Sequence, residues 1–279
     1  MIIDISEHQG SIDWVKVAKN KEIEAVIIRA GYGQDIKSQD DKQWKRNIEA
    51  VIKYGIPFGV YLYSYAKTTQ AIKGEVEHLI RLIKPYKDKM ALPAYIDIEE
   101  PGTGPGCTAR IKEFYKIMKE KGYKPGLYTG EWWYNAYIKG AITKTLWIAK
   151  YGVNDGKPHD KPKIGVDYDL WQYTSKVKIA GIPGTVDANI LYNQDLLKKD
   201  TKKINKKADD TIMLKVTAKD GLNCRKSAKA DGAIIGAFAC DTRIQLINKT
   251  NKSWYKVKGK DSTGKTIEGY CSAKYLLII

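Results

Sequence analysis

The chain has 279 residues, of which 43% are hydrophobic, and it carries a formal net charge of +16. This length allows one large domain and one small one, and no apolar run approaches the roughly 20 residues of a membrane-spanning helix, so we expect no membrane insertion. The charge favours an anionic partner, either a nucleic acid or the surface of an acidic polymer.

Strand and helix patterns alternate through the first two thirds of the chain. Strands are predicted at residues 2–6, 25–30, 58–64, 91–101, 126–129, 146–151, 168–173 and 184–188. Helices are predicted at residues 13–19, 44–55, 69–83, 108–121 and 132–133. Eight strands with helices after the first five predict an α/β fold, an irregular β/α barrel with a parallel sheet. In such barrels the chemistry lies at the carboxyl ends of the strands.

The last third of the chain has a different pattern. We assign the barrel to residues 1–197 and a linker to residues 198–211, which are rich in lysine and contain no apolar core. Residues 212–279 show short alternating strands separated by Gly, Asn and Asp turns, which predict a small all-β barrel. The basic excess per residue is greatest after residue 197.

Cysteine and histidine usage argues against two kinds of site. The four cysteines have no C-x-x-C spacing and no histidine cluster beside them, which argues against zinc and indicates reduced thiols. With only three histidines, a nucleophile paired with a histidine base is poorly supported. We predict neither a metal nor a cofactor. The segment from Met1 to Ser6 has no basic region or hydrophobic stretch of a secretory signal peptide.

The fourth strand ends in two acids that share one face. Side chains alternate along a strand, so Asp97 and Glu99 point into one space, about 6–7 Å apart at the backbone. Two neighbouring carboxylates repel, and one therefore tends to keep its proton near neutrality. A proton donor beside an ionised partner is the arrangement that cleaves glycosidic bonds. We predict Glu99 as the donor and Asp97 as the charged partner, with Glu100 facing away.

Other strand ends carry further acids, one cation and aromatic rings. Tyrosine and tryptophan offer a flat apolar face with a polar group, which suits a trough that stacks sugars. The predicted substrate-binding residues are Asp4, Arg29, Tyr61, Tyr63, Tyr128, Trp147, Trp171 and Asp187. At the seventh strand, Gln172 is the alternative to Trp171.

A metal-dependent nuclease is an alternative for the same acids. Asp4, Asp97, Glu99 and Asp187 could hold magnesium for phosphodiester cleavage, and the positive charge would suit a nucleic acid. The aromatic strand ends and the remote position of the basic excess argue against this, so we expect no nucleic-acid partner.

Six segments, in order, resemble glycoside hydrolase family 25, the muramidases of phage and bacterial lysins. They are Asp4-Ile5-Ser6-Glu7-His8-Gln9-Gly10 with Ile12-Asp13-Trp14, Ile27-Ile28-Arg29-Ala30-Gly31-Tyr32-Gly33, Tyr95-Ile96-Asp97-Ile98-Glu99, Leu146-Trp147-Ile148-Ala149, Leu170-Trp171-Gln172-Tyr173 and Asp187-Ala188-Asn189.

The resemblance implies an incomplete β/α barrel that cleaves the bond between N-acetylmuramic acid and N-acetylglucosamine in peptidoglycan. It implies that Glu99 is the general acid and that Asp4, Asp97, Asp187 and Tyr63 line the site. Asp97 either acts as the nucleophile or orients the acetamido group of the substrate, and both routes predict retention of configuration.

The last segment resembles a bacterial SH3-like wall-binding module at residues 222–225, 254–257 and 269–272. Cys224 and Cys271 stand where an apolar residue is usual, which is consistent with small buried thiols. A muramidase without a signal peptide fits a phage endolysin that stays in the host cytoplasm until release, and its charge would favour anionic wall polymers. The alternative is a non-catalytic protein that binds wall glycan, against which the intact pair of Asp97 and Glu99 argues.

Overall fold

A computed structural model describes residues 1–197, 213–251 and 253–278, and the predicted linker at 198–211 lies outside them. The chain divides into two compact units, Met1–Thr201 and Lys202–Ile279. Within the described ranges, no helix combines the length and apolar character needed to cross a membrane.

In residues 1–197, eight strands close into a barrel in chain order, which confirms the predicted fold class. The strands are β1 (Ile2–Ile5), β2 (Ala25–Tyr32), β3 (Phe58–Tyr63), β4 (Ala94–Asp97), β5 (Pro125–Gly130), β6 (Leu146–Ala149), β7 (Leu170–Val177) and β8 (Val186–Leu191).

The last strand reverses the direction of the sheet. Strands β1 to β7 run parallel, whereas β8 is antiparallel to both β7 and β1, so the expectation of a parallel sheet is wrong for β8. Only residues 178–185 join β7 to β8, and a parallel crossover needs about a dozen residues or more. The start of β8 therefore lies at the same end of the barrel as the carboxyl ends of the other strands.

Helices follow the first five strands and cover the outside of the barrel. They are α1 (Trp14–Val17), α2 (Trp44–Lys53), α3 (Thr69–Ile83), α4 (Cys107–Glu120) and α5 (Glu131–Trp133). Short 3₁₀ segments lie at Glu7–Gln9, Lys37–Gln39, Lys84–Lys89, Gln194–Leu196 and Ala273–Tyr275, and a π-helical segment lies at Tyr134–Ile138.

Helix α3 shows why its residues form this element. The side chain of Thr68 accepts a hydrogen bond from the backbone N–H of Ala71, which caps the first turn. Ile72, Val76 and Leu79 repeat at helical spacing, and all three are buried against the sheet. The predicted helix at 69–83 coincides with α3.

Large side chains fill the lower part of the barrel interior. Tyr95, Tyr128 and Trp147 pack there with smaller apolar residues of β1, β2 and β7. A Cβ added at Gly126 would lie 2.4 Å from ring carbons of Tyr95, so the absence of a side chain on β5 makes room for this ring. The polar side chains of the same strands lie one layer higher, on this packed floor.

The described part of the second unit contains seven strands: β9 (Met213–Val216), β10 (Leu222–Arg225), β11 (Ile234–Phe238), β12 (Arg243–Lys249), β13 (Trp254–Lys260), β14 (Thr266–Ser272) and β15 (Leu276–Ile278). They form an antiparallel sheet in the order β11-β10-β14-β13-β12-β9-β15. Cys224 and Cys271 are free thiols in its core, beside Phe238 and Val257. The prediction of a separate all-β unit is confirmed.

Candidate active site

Four acids converge at one end of the barrel. Asp97 is the last residue of β4, Glu99 follows two residues later, and Asp4 on β1 stands directly opposite Asp187 on β8. The negative charge of Asp187 raises the pKa of both Asp4 and Glu99, and the charges of Glu99 and Asp4 raise the pKa of Asp97. These mutual effects require that the carboxylates face a common space. The reversal of β8 is what brings Asp187 there.

Asp4 is buried in a network of amides. Gln172 Nε2 donates to both carboxylate oxygens of Asp4 at 3.0 and 3.1 Å, and Asn189 Nδ2 donates to Oδ2 at 2.7 Å. Asn189 is itself fixed by the indole N–H of Trp147, which donates to Asn189 Oδ1 at 2.6 Å. Burial and the charge of Asp187 still raise the pKa of Asp4 well above its ordinary value. Asp4 is thus held in one orientation.

Asp97 is as deeply buried as Asp4 but has fewer partners. Its side chain is 3% exposed, and Oδ1 has no hydrogen-bond partner among the residues that the structure describes. Burial raises the pKa of Asp97 well above its ordinary value, the charges of Glu99 and Asp4 raise it further, and Arg29 opposes the shift. Burial therefore favours the neutral form of Asp97, whereas the prediction from the sequence has this carboxylate charged.

Glu99 is more open than Asp97 and still titrates near neutrality. Burial, then the charge of Asp187, raises the pKa of Glu99 to about 7, while the neighbouring hydroxyl of Tyr128 opposes the shift. Burial also raises the pKa of Asp187 to about 6. At neutral pH a large fraction of Glu99 is therefore protonated while most of Asp187 is ionised.

Tyrosines of three strands surround the acids. Tyr128 and Tyr151 both donate from their hydroxyls to Gln172 Oε1 at 2.8 Å. Burial and then the charge of Asp4 raise the pKa of the partly buried Tyr61, and the charges of Asp97 and Asp187 add to the shift, so its hydroxyl lies near the acids.

Tyr63 connects this group to Glu100, the acid predicted to face away from the pair. Its hydroxyl donates to Glu100 Oε2 at 2.8 Å. Glu100 is therefore a partner of a predicted binding residue at the rim, although it does not join the pair formed by Asp97 and Glu99.

The two predicted tryptophans do not offer a surface to a sugar. Trp147 is 1% exposed and packs edge-on against Tyr128 with ring centroids 4.4 Å apart, so it is part of the floor. Trp171 is 2% exposed, its indole N–H donates to the carbonyl of Lys150 at 2.9 Å, and it packs with Tyr173 on the outer side of the sheet. Gln172, the next residue, faces the acids instead. The choice of Trp171 is wrong because neighbouring residues of a strand point to opposite faces.

Arg29 lies beside the acids but is already paired. Its Nε donates to Asp41 Oδ2 at 2.8 Å and its Nη2 to Glu7 Oε1 at 3.0 Å. It lines a cavity of about 370 Å³ together with Glu7, His8, Tyr32, Tyr63 and Tyr65. These ion pairs fix the guanidinium at the edge of the site.

Asn189 and Tyr151 take part in the site and are absent from the predicted set, and Gln172 is predicted only as the alternative to Trp171. Gln172 and Asn189 occupy inward positions of β7 and β8, and Asn189 is two residues after Asp187. The period-two alternation that selected Asp97 and Glu99 would have found Asn189. Within the described ranges, no group of three or more His, Cys, Asp and Glu side chains is arranged to hold a metal ion.

A larger cavity, of about 760 Å³, lies at the opposite end of the barrel, where β6 and β7 begin. Thr145, Asp169 and Tyr192 line it, and none of the four converging acids does. The acids, and not the size of the cavity, identify the candidate active site.

Two family matches divide the chain in the same way as the structure. Residues 3–182 match the family described as Glycosyl hydrolases family 25, and residues 220–276 match the family described as Bacterial SH3 domain. The first match includes Asp4, Asp97 and Glu99 and ends before Asp187.

Relatives and solved structures are similar over the barrel. The autolytic lysozyme of Clostridium acetobutylicum is 26% identical over 190 residues, which cover 66% of this chain and 53% of that protein. The catalytic domain of endolysin ply40, from bacteriophage P40 of Listeria monocytogenes, is 28% identical with a TM-score of 0.62 and covers 70% of this chain and 94% of that one. The autolysin LytC of Streptococcus pneumoniae, solved in complex with a synthetic peptidoglycan ligand, is 31% identical with a TM-score of 0.58 and covers 68% of this chain and 46% of that one.

Proposed function

The chain belongs to glycosyl hydrolases family 25, and from this premise we propose that it cleaves the bond between N-acetylmuramic acid and N-acetylglucosamine, with Glu99 as the general acid. Its class, a glycoside hydrolase of the lysozyme type that acts on peptidoglycan, follows from the family and from its lysozyme relatives. One observation carries the assignment of Glu99. Among the four converging acids, it is the more open member of the β4 pair and has a pKa of about 7.

Glu99 would donate its proton to the glycosidic oxygen of the leaving sugar. A carboxyl group with a pKa near the working pH is protonated often enough to act and acidic enough to release its proton. Burial and the charge of Asp187 supply this pKa. The same two causes would favour recovery of the proton after each turnover.

Asp97 would stabilise the positive charge that develops at the anomeric carbon. Its Oδ1 finds no donor in the described part of the protein, so it can accept a hydrogen bond from the substrate's acetamido N–H or approach the anomeric carbon. Developing positive charge would favour the ionised form of Asp97, as Arg29 already does. Retention of configuration is expected whether Asp97 acts as the nucleophile or orients the acetamido group of the substrate.

Asp4 and Asp187 would serve different purposes. Asp4 accepts hydrogen bonds from the side-chain amides of Gln172 and Asn189, so it is less available as a nucleophile and would hold these two side chains in position. Asp187 accepts from no such amide pair among the described residues and would act through its charge on Glu99. Tyr61 and Tyr63 would contact the sugars from the end of β3. Tyr128, predicted as a sugar contact, is buried in the floor and would act through its hydroxyl, which donates to Gln172.

Digestion of purified peptidoglycan tests this proposal. We expect new reducing N-acetylmuramic acid ends, no freed peptides, and first-formed products with retained configuration by NMR. Glu99→Gln should abolish turnover while binding to walls persists. Products with cleaved amide bonds only would contradict the reaction, and an active Glu99→Gln would contradict the assigned acid. A barrel that binds walls without cleaving them would leave the turbidity of a wall suspension unchanged.

The second unit would hold the enzyme on its substrate. Residues 220–276 match a bacterial SH3 domain, and the net charge of +16 would favour anionic polymers of the wall. The likeness to a phage endolysin domain supports a role in host lysis, with the enzyme in the host cytoplasm until release. Wall binding should weaken as salt is raised, because salt screens exposed charges. Undiminished binding at high salt would contradict the proposal that positive charge attracts the protein to anionic wall polymers.

A further inference from the structure

Three aromatic rings form an exposed cluster directly after β5. The ring centroids of Trp132 lie 6.1 Å from Trp133 and 5.8 Å from Tyr137, and those of Trp133 and Tyr137 lie 5.0 Å apart. Trp132 is 66% exposed. We call these three residues the aromatic platform. An exposed tryptophan beside two further rings is a feature of binding surfaces, because burying it on a partner removes a large apolar area from water.

The platform is held firmly by its surroundings. Tyr134, between the rings in sequence, is buried and donates from its hydroxyl to the carbonyl of Ile142 at 2.6 Å. Glu131 forms an ion pair with Lys150 at 3.1 Å and accepts from the backbone N–H of Lys163. Trp133 also packs against the hydrophobic core, so the platform has a fixed base and needs less ordering when it binds a ligand.

The platform is continuous with the end of the barrel that holds the acids. Helix α5 begins at the residue after β5 ends, and Tyr128 on β5 lies beside Glu99. The loop that follows Glu99 touches the platform, since a Cβ added at Gly104 would lie 2.4 Å from ring carbons of Tyr137. The rim between β4 and β5 therefore carries the general acid at its inner edge and exposed rings at its outer edge.

We propose that the aromatic platform is a sugar-binding subsite, which stacks a unit of the glycan strand beyond the two sugars that flank the cleaved bond. This inference rests on the proposed muramidase function. The apolar face of a pyranose ring fits a flat indole, and the polar edges of tryptophan and tyrosine can bond its hydroxyl and acetamido groups. The buried rings of Trp147 and Trp171 cannot supply such a face, whereas Trp132 can.

Binding of peptide-free glycan strands to inactive protein tests the subsite. In the full-length Glu99→Gln protein, calorimetry would compare a single disaccharide of N-acetylglucosamine and N-acetylmuramic acid with a strand of three such disaccharides. We expect Trp132→Ala in this background to weaken binding of the longer strand about tenfold and to leave the single disaccharide unchanged. Trp132→Phe should restore most of the affinity, since it keeps an aromatic face.

Controls separate the possible failures. Tyr54→Ala removes an exposed ring that follows α2, away from the acids, and should change neither affinity. If the parent binds the longer strand more tightly and Trp132→Ala leaves that preference intact, the subsite is wrong while the function stands. Equal weakening for both lengths would also overturn it, because the ring would then lie within the flanking sugars. If the parent binds neither strand and the wild-type protein releases no reducing ends, the proposed function fails and the subsite with it.

Discussion

Replacing Asp187 by Asn should move the alkaline limb of the pH–activity profile to lower pH. Glu99 must be protonated to act, and its pKa is about 7 in the presence of the Asp187 charge, which is the second cause of the shift after burial. Asp187 has a pKa of about 6, so it is mostly ionised where the limb falls. Asn keeps the shape of the side chain and removes the charge.

The size of the effect follows from the proton equilibrium. A like charge in a partly buried site is worth on the order of 1 kcal/mol, which is about one pKa unit. A fall from about 7 to roughly 6 lowers the protonated fraction of Glu99 at pH 7 from about a half to about a tenth. At that pH the variant should lose about fivefold in activity beyond any loss it shows at pH 5.

The measurement is kcat/KM on a wall suspension between pH 4 and 9 at constant ionic strength. The informative quantity is the pH at which the alkaline limb falls. The absolute activity is not informative, because Asp187 also lines the proposed binding site and its loss should lower activity at every pH. Asp88→Asn, at an exposed position after α3, is the matched control and should leave the limb in place. An unmoved limb in Asp187→Asn, or one moved to higher pH, would refute the coupling between the two acids.

Three further substitutions test the buried polar groups and the barrel floor. Glu75 is fully buried, and its pKa of about 7 lies above the value in the unfolded chain, so this group should lower the free energy of unfolding by about 3 kcal/mol between about pH 4.5 and 7. Glu75→Gln should remove this pH dependence in urea titrations, and an unchanged pH dependence would contradict the assigned pKa. Gln172→Ala removes two hydrogen bonds to Asp4, so it should lower stability by about 1–3 kcal/mol in thermal unfolding and remove most of the activity in a wall-clearing assay. Full activity would exclude a role for the hydrogen bonds between Gln172 and Asp4. Gly126→Ala should destabilise the barrel by about 1–3 kcal/mol because the added Cβ meets the ring of Tyr95, whereas Gly130→Ala adds a Cβ with nothing within 4 Å and should not. Similar melting temperatures for the two variants would show that the ring of Tyr95 can move aside.

The candidate acids were predictable because they depend on local order along one strand. Alternation alone places Asp97 and Glu99 on a common face, and the opposite face carries only Ile96 and Ile98, so the acidic face is the one expected to line the site. At the seventh strand Trp171 and Gln172 point in opposite directions, and either could line the site. Nothing local decides which of them faces inward, since that depends on the register with which β7 joins its neighbours.

The element types, the α/β barrel, the separate all-β unit and the family resemblance of the first unit can be predicted from the sequence. Hydrophobic periodicity and turn residues act over a few positions, so they can be recognised without a fold. Three features are visible only in the folded chain: β8 is antiparallel and sets Asp187 opposite Asp4, Trp147 is part of the floor, and Trp132 is exposed. Each of these depends on how distant segments pack when the barrel closes, and packing between distant segments leaves no periodic pattern in the chain.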